Sequence, residues 1–322
     1  MMTTKSSGKK NSTQTPQDRT DSAQLRATLM KRSSYASVAV AVLLISIKLA
    51  AWLYIGSVAL LGSLVDSTLD LLASLATLIA IRQAVEPADK EHRFGHGKVE
   101  AIAGIGQSAI IMLSAVFLLE QSVSRLITPE VISHGLVGIG VLVASIFLTI
   151  FLVRYQMSVA RRTGSLAVTA DSFHYRSDLV MNLAVITAIG LTEYFGLVYA
   201  DPLFGLGIAA YIGISAFGIA RQAYDMLMDR EMPEEDRLRI KTIAMAQGQV
   251  KNLHDLRTRQ SGFNQFIQLH IELDAELKLR DAHTICDAVE VDIQKAYPDA
   301  EILIHADPAG LEAPHQGIGA KV

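Results

Sequence analysis

Four ionisable residues lie where the surrounding sequence is almost wholly apolar. Asp66 and Asp70 sit in the run V-D-S-T-L-D, and His174 and Asp178 in H-Y-R-S-D. Each pair is spaced i,i+4, which puts its two side chains on one face of a helix. Three carboxylates and one imidazole make a nitrogen–oxygen donor set suited to a tetrahedral divalent cation, Zn²⁺ above all. Left empty and ionised, such a set concentrates negative charge where solvation is poor, so it should take up protons. Metal binding needs deprotonated ligands and would expel those protons. His174, of a type that exchanges its proton near neutral pH, is the first candidate for the exchanged proton.

The elements that must position these residues read as membrane spans. The chain has 322 residues, of which 50% are hydrophobic and 19% charged, and its mean hydropathy is +0.31. A positive mean at this length points to membrane spans rather than a soluble domain. A spanning helix needs roughly 20 apolar residues. Six stretches qualify: Ser34–Ile55, Val58–Ala84, Val99–Ile127, Gly135–Gln156, Leu166–Tyr194 and Pro202–Ala223. At about 1.5 Å per residue, Asp70 lies roughly 20 Å from the cytoplasmic end of the second span and Asp178 roughly 18 Å from that of the fifth. The two pairs therefore match in depth and can converge. An ionised group at that depth costs several kcal/mol, so the four need a reason to be there.

Basic residues set the orientation. Lys31 and Arg32 precede the first span. Lys90, Arg93 and Lys98 follow the second, Arg154, Arg161 and Arg162 follow the fourth, and Arg221 and Arg230 follow the sixth. Arg125 is the exception. Both termini are expected in the cytoplasm. Small residues in the third span (Ala103, Gly104, Gly106, Ser108) and the sixth (Gly205, Gly207, Gly213, Gly218) predict close helix packing. Asp171 is expected at an interface or cavity mouth, and Lys48 is expected to snorkel or pair.

Outside the spans, Asp89, His92 and His96 in P-A-D-K-E-H-R-F-G-H-G-K form a second possible metal-binding group. The chain beyond the sixth span predicts a small α+β domain. A helix from Pro233 to about Ala246 leads to two strand-like runs, Val250–Gln260 and Phe263–Asp274, joined at Ser261-Gly262. A helix over Leu279–Ala296 and a strand over Glu301–Ala306 complete an αββαβ order. Alternation in Phe266–Leu273 sends His270 away from the apolar face. His254, His270, His283, His305 and Asp307 in so small a domain favour a metal cluster. The single cysteine, Cys286, excludes an intrachain disulfide and a thiolate-rich site; it is read as a small helix-core residue. The net charge of −3 gives no case for nucleic acid. No cleavable signal peptide is visible, and residues 1–30 and 309–322 are expected to be flexible tails around a transmembrane domain (31–226) and a cytoplasmic regulatory domain (227–308).

Four stretches carry a family resemblance: G-S-V-A-L-L-G-S-L-V-D-S-T-L-D, P-A-D-K-E-H-R-F-G-H-G-K-V-E, A-D-S-F-H-Y-R-S-D, and H-D-L-R-T-R-Q-S-G with F-I-Q-L-H-I-E-L. From about Met30 to Pro308 the chain resembles the cation diffusion facilitators, and within them the bacterial zinc/iron efflux type. The resemblance implies an inner-membrane homodimer with a metallochaperone-like cytoplasmic domain. It implies a transport site of Asp66, Asp70, His174 and Asp178, a loop site of Asp89, His92 and His96, and a binuclear site of His254, His270, His283, His305 and Asp307. It also implies a Lys98–Asp229 charge pair locking the subunits near the membrane surface. Ala306 departs from the family, where close relatives often carry Gln.

The expected function is therefore export of Zn²⁺, with Cd²⁺, Fe²⁺ and Co²⁺ as related cargo, in exchange for protons across the lipid bilayer. A transporter preferring Mn²⁺ or Fe²⁺ is the nearest alternative. A membrane metal sensor that does not transport has no need of carboxylates at this depth. A membrane-embedded hydrolase would need a nucleophile or an activated water in a substrate cleft, and no motif supplies one.

Overall fold

The computed structural model describes residues 16–55, 58–128, 136–197 and 199–310. The chain divides into two compact units, a helical one over residues 26–230 and one built mainly from the chain after Arg230.

Six long helices make the first unit: α1 (Pro16–Ile55, from Arg26 onward), α2 (Val58–Ala84), α3 (Val99–Ile127), α4 (Leu136–Thr163), α5 (Leu166–Phe195) and α6 (Ala200–Leu227). Among the described residues, α1, α2, α3, α4 and α6 contain stretches long and apolar enough to cross a membrane by length and composition. α5 is 30 residues long, and its first half carries Asp171, His174, Arg176 and Asp178. It tolerates them because it is wrapped by its neighbours. Val168 packs with Met30, Ile81 and Val159 of α1, α2 and α4. Leu166 and Ala170 pack with Ala101 of α3 and with Ile219 and Ala223 of α6. Tyr175 packs with Leu152 and Val153 of α4.

The start of α5 is fixed by a buried carboxylate. Ser165 caps the helix, its hydroxyl accepting from the Val168 N–H. The same hydroxyl donates to Glu100 Oε2 at 2.5 Å, and the Ala167 N–H donates to that oxygen at 3.3 Å. An anion at a helix N-terminus answers both the unpaired amides and the helix dipole. At the other end Gly196 takes a left-handed conformation (φ 69) and closes the helix through its N–H to Thr192 O.

The small residues of α3 and α6 pack as expected in part. Gly104 abuts Ala223 and Leu166, a Cβ on Gly205 would collide with Ser122, and Gly213 faces Ala115 and Met112. Gly106, Gly207 and Gly218 have open space beside them. Arg125, the one basic residue that broke the charge pattern, is paired with Asp201 at 2.7 Å.

Two boundaries differ from expectation. The tail expected through residue 30 is helical from Pro16, because Ala23, Gln24, Leu25, Arg26, Leu29 and Lys31 favour helix and Met30 is already core. Residues 1–15 and 311–322, the remainder of the two expected tails, lie outside the described residues, as does Gly135. α4 runs past Gln156 to Thr163, since a basic turn at a membrane surface ends the apolar run without ending the helix.

The second unit has the expected αββαβ order: α7 (Glu234–Met245), β1 (Asn252–Ser261), β2 (Asn264–Leu273), α8 (Leu279–Ala296) and β3 (Ala300–Pro308). The sheet order is β1-β2-β3. Gly262, at φ 61, makes the tight turn between β1 and β2. β3 returns parallel to β2, with Ile267 beside Ile302 and His270 beside His305, which requires α8 as the crossover. One face of the sheet packs Ile267, Leu269, Ile271 and Leu273 onto Ile240, Ile285, Val289 and Ile293. Cys286 packs against this core, where burial, followed by the charge of Asp287, pushes its thiol pKa up.

Removing the buried cap should loosen α5. Glu100→Ala leaves the Ser165 hydroxyl and the Ala167 N–H without their acceptor and should cost about 2 kcal/mol. Thermal unfolding of the detergent-purified protein should show a clear fall in melting temperature, with Glu100→Gln falling less. No change would mean that this contact does not hold the helix.

Candidate metal centres

Three side chains meet in the helical unit. His174 Nε2 lies 3.0 Å from Asp70 Oδ1 and 3.8 Å from Asp178 Oδ2. One donor atom from each of Asp70, His174 and Asp178 falls within 4.8 Å of the others. His174 is buried and the two carboxylates are half-buried. The i,i+4 spacing of His174 and Asp178 on α5 and the matched depth of Asp70 on α2 produce this arrangement. Asp66 does not join the three. It lies one turn toward the start of α2, roughly 6 Å along the axis, and is exposed.

Two polar contacts beside this group escaped the sequence reading. Asp171, one turn before His174, is buried rather than at an interface. Its Oδ2 accepts from Ser37 Oγ and Gln156 Nε2, each at 2.6 Å, and Gln156 also donates to Ser37 Oγ at 2.8 Å. The Tyr175 hydroxyl meets Ser74 Oγ at 2.8 Å and donates to the Ser37 carbonyl at 3.3 Å. These bonds join α1, α2 and α4 to the turn of α5 that carries His174. Asp171 Oδ1 and Gln156 Oε1 remain buried without a hydrogen-bond partner among the described residues. The sequence signal for them was only that Asp171 and Gln156 lie in apolar stretches. Lys48 of α1 does not snorkel; its ammonium donates to Ser67 Oγ at 2.7 Å and to the Ser63 carbonyl at 3.1 Å, both on α2.

The loop between α2 and α3 gathers all three of its predicted residues. Asp89 Oδ1 accepts from the His92 N–H at 2.5 Å and the Glu91 N–H at 2.9 Å. His92 Nδ1 lies 3.3 Å from Asp89 Oδ1, and His96 Nε2 lies 3.4 Å from Oδ2. The hydrogen bond from the His92 backbone holds the Asp89 carboxyl below its usual range, although desolvation opposes it. Gly95, at φ 75, lets the chain turn so that His96 faces back toward Asp89.

In the C-terminal unit the strand register assembles a third group. Because His270 pairs with His305 and Glu272 with Asp307, the Asp307 carboxylate faces several histidines. Oδ2 lies 2.8 Å from His270 Nδ1 and 3.5 Å from His254 Nε2, while Oδ1 lies 3.0 Å from His305 Nε2. Burial opposes ionisation of Asp307, but the hydrogen bond to His270 and the charges of His305, His270 and His254 outweigh it, so its pKa is lowered. Glu272 Oε1 lies 3.5 Å from His254 Nδ1, and Asp255 Oδ2 lies 4.0 Å from His270 Nε2. Sequence reasoning passed over both carboxylates, although Glu272 shares His270's side of the strand. His283 is not brought to this group. It stands on α8, 74% exposed, with Asp287 Oδ1 3.7 Å from its Nδ1. Lys98 and Asp229 pair at 3.0 Å within the one chain.

The donor chemistry of all three groups is nitrogen and oxygen only, which suits Zn²⁺ and its borderline neighbours better than thiophilic ions. Comparison with known proteins agrees with a metal-handling chain. The family of the cation efflux transmembrane domain matches residues 34–228, and that of the cation efflux protein cytoplasmic domain matches residues 232–309. A cation-efflux pump FieF of Shewanella oneidensis is 48% identical over 283 residues, 88% of this chain and 95% of that protein. The cation-efflux pump FieF of Cronobacter sakazakii is 46% identical over 88% of this chain and 94% of its own length. A solved structure of a candidate zinc transporter, CzrB, in its Zn form is 29% identical over 26% of this chain and 98% of its own, with a TM-score of 0.25. Matched by the family in both its membrane and its cytoplasmic part, this chain belongs to the cation efflux, or cation diffusion facilitator, family of transporters.

Proposed function

We propose that the protein exports divalent cations from the cytoplasm across the inner membrane in exchange for protons. The observation that carries this reading is the buried His174 between Asp70 and Asp178. Such a group at membrane depth serves a mobile ion better than a structural one, because it holds either a metal or protons and neither permanently. Both termini face the cytoplasm in this reading, following the basic loops. Zn²⁺ is the main cargo, with Cd²⁺, Fe²⁺ and Co²⁺ close behind. Mn²⁺, which favours oxygen donors throughout, fits an imidazole-containing site less well.

Asp66 is the fourth ligand of the transported ion in this reading. Tetrahedral divalent sites want four donors and the gathered group offers three. The nearest unused carboxylate on the same helix is Asp66, which a modest shift of α2 would bring in.

The Asp307 group and the Asp89 loop are proposed as regulatory sites filled from the cytoplasm. Asp307 suits a binuclear site, since its two oxygens serve different histidines. The match to the family's cytoplasmic domain supports a homodimer. Metal on the sheet face would tighten it, and the Lys98–Asp229 pair would stand where the subunits meet at the membrane surface.

Two measurements test these claims. In proteoliposomes with a pH gradient, wild type should move Zn²⁺ against H⁺, and Asp70→Ala and His174→Ala should each lower the flux by about 10²-fold or more, at least what loss of a ligand's supporting partner costs. Asp66→Ala should also abolish transport; wild-type flux in that variant would remove Asp66 from the site. Absence of proton-coupled flux in wild type would sink the whole reading. Separately, cross-linking or ultracentrifugation should show Zn²⁺ tightening the dimer of wild type but not of His270→Ala/His305→Ala. Equal tightening in both would place regulation elsewhere.

A further inference from the structure

Lys48 lies on α1, seven residues before the helix ends at Ile55. Its ammonium turns onto α2. There Ser67 Oγ accepts from it at 2.7 Å and the Ser63 carbonyl at 3.1 Å. Ser67 is fully buried and adjoins Asp66, and Asp70 follows one turn later. The charge of Lys48 interacts with Asp70, Asp178 and Asp66. Both of its hydrogen-bond acceptors are neutral. The bonds therefore tether the ammonium beside the carboxylates without making it the permanent partner of any one of them.

We propose that Lys48 is the built-in counter-cation of the transport site and sets how tightly the site holds its metal. The proposal rests on the transport reading of Asp70, His174 and Asp178. Between transport events the site carries excess negative charge in a poorly solvated place, and a fixed ammonium nearby offsets part of it. An arriving divalent cation meets the remaining attraction less the repulsion of that ammonium. Lys48 thus weakens metal binding in both directions, and the release step gains what the capture step loses. In a low-dielectric setting a fixed charge at this range matters, because its field is not screened by water. Lys48 is a positioning and affinity-setting residue; it does not touch the metal.

The test is Zn²⁺ flux in proteoliposomes as a function of Zn²⁺ concentration, with a Zn²⁺-sensing dye inside. Lys48→Met keeps the length and apolar stem and removes the charge. It should lower the half-saturating Zn²⁺ concentration roughly tenfold, the size expected of one fixed charge at a partly shielded site. Its maximal rate should fall, because release becomes slow. Lys48→Arg keeps the charge and should stay close to wild type in both. A purely structural role for Lys48 predicts the opposite for Met, weaker apparent affinity with no rescue by Arg. An unchanged or raised half-saturating concentration in Lys48→Met overturns the proposal. Wild-type flux in an Asp70→Ala control overturns the transport reading itself, and so separates the two failures.

Discussion

A charge placed at bilayer depth must be met there by another group, because no water is available to solvate it, and the helical unit is arranged around that demand. Asp70 and Asp178 are met by His174. Asp171 is met by Ser37 and Gln156, Glu100 by Ser165, and Lys48 by Ser67 and Ser63. Apart from Asp178, which shares α5 with His174, the answering group in each case comes from a different helix or from the loop that leads into one. Electrostatic necessity is thereby turned into packing instructions: α1, α2, α3 and α4 each bind α5 through a polar contact that would cost several kcal/mol if it were left unmade in hydrocarbon. This is why α5, with Asp171, His174, Arg176 and Asp178 in its first half, can sit among the others at all.

The C-terminal unit faces water and solves a different problem. Solvated carboxylates and imidazoles need no compensation, so their convergence has to come from backbone register. Parallel pairing of β2 with β3 sets His270 opposite His305 and Glu272 opposite Asp307, and β1 brings His254 alongside. The opposite face of the same strands supplies Ile267, Leu269 and Ile271 to the core. Period-two alternation therefore does both jobs at once. Moving the register by one residue would bury the histidines and expose the core together.

What the sequence could and could not reveal divides along the same line. The i,i+4 pairs and the matched depths were readable because helix geometry is regular, and α8 was read to its ends because its apolar spacing, leading acid and following Pro298 agree. The αββαβ order was likewise readable from its turn and strand patterns. Asp171 was misplaced because an aspartate's partners, here Ser37 and Gln156, lie more than a hundred residues and fifteen residues away, and no local pattern announces them. Lys48 was expected to snorkel or pair, and it pairs with α2; nothing in its own neighbourhood tells inward from outward. His283 was grouped with the other histidines by composition, but composition does not fix the face of α8 on which it stands. Glu272 and Asp255 carry no motif that marks them as ligands, while the sheet gathers whatever lies near its histidines.

The two kinds of centre also differ in what they should do with an ion. The sheet group is rich in donors. Three histidines crowd one carboxylate, and Glu272 and Asp255 stand behind them, the latter paired with Arg257 at 3.0 Å. Such a group is suited to holding metal and reporting its presence. The helical group is sparse by comparison, with three gathered donors, a fourth candidate one turn away on α2, and an ammonium fixed beside them. A storage site so built would be poor, but a carrier has to let its cargo go on the far side. In the proposed cycle the competing charge of Lys48 raises the energy of the loaded state at the one place where tight binding would halt transport.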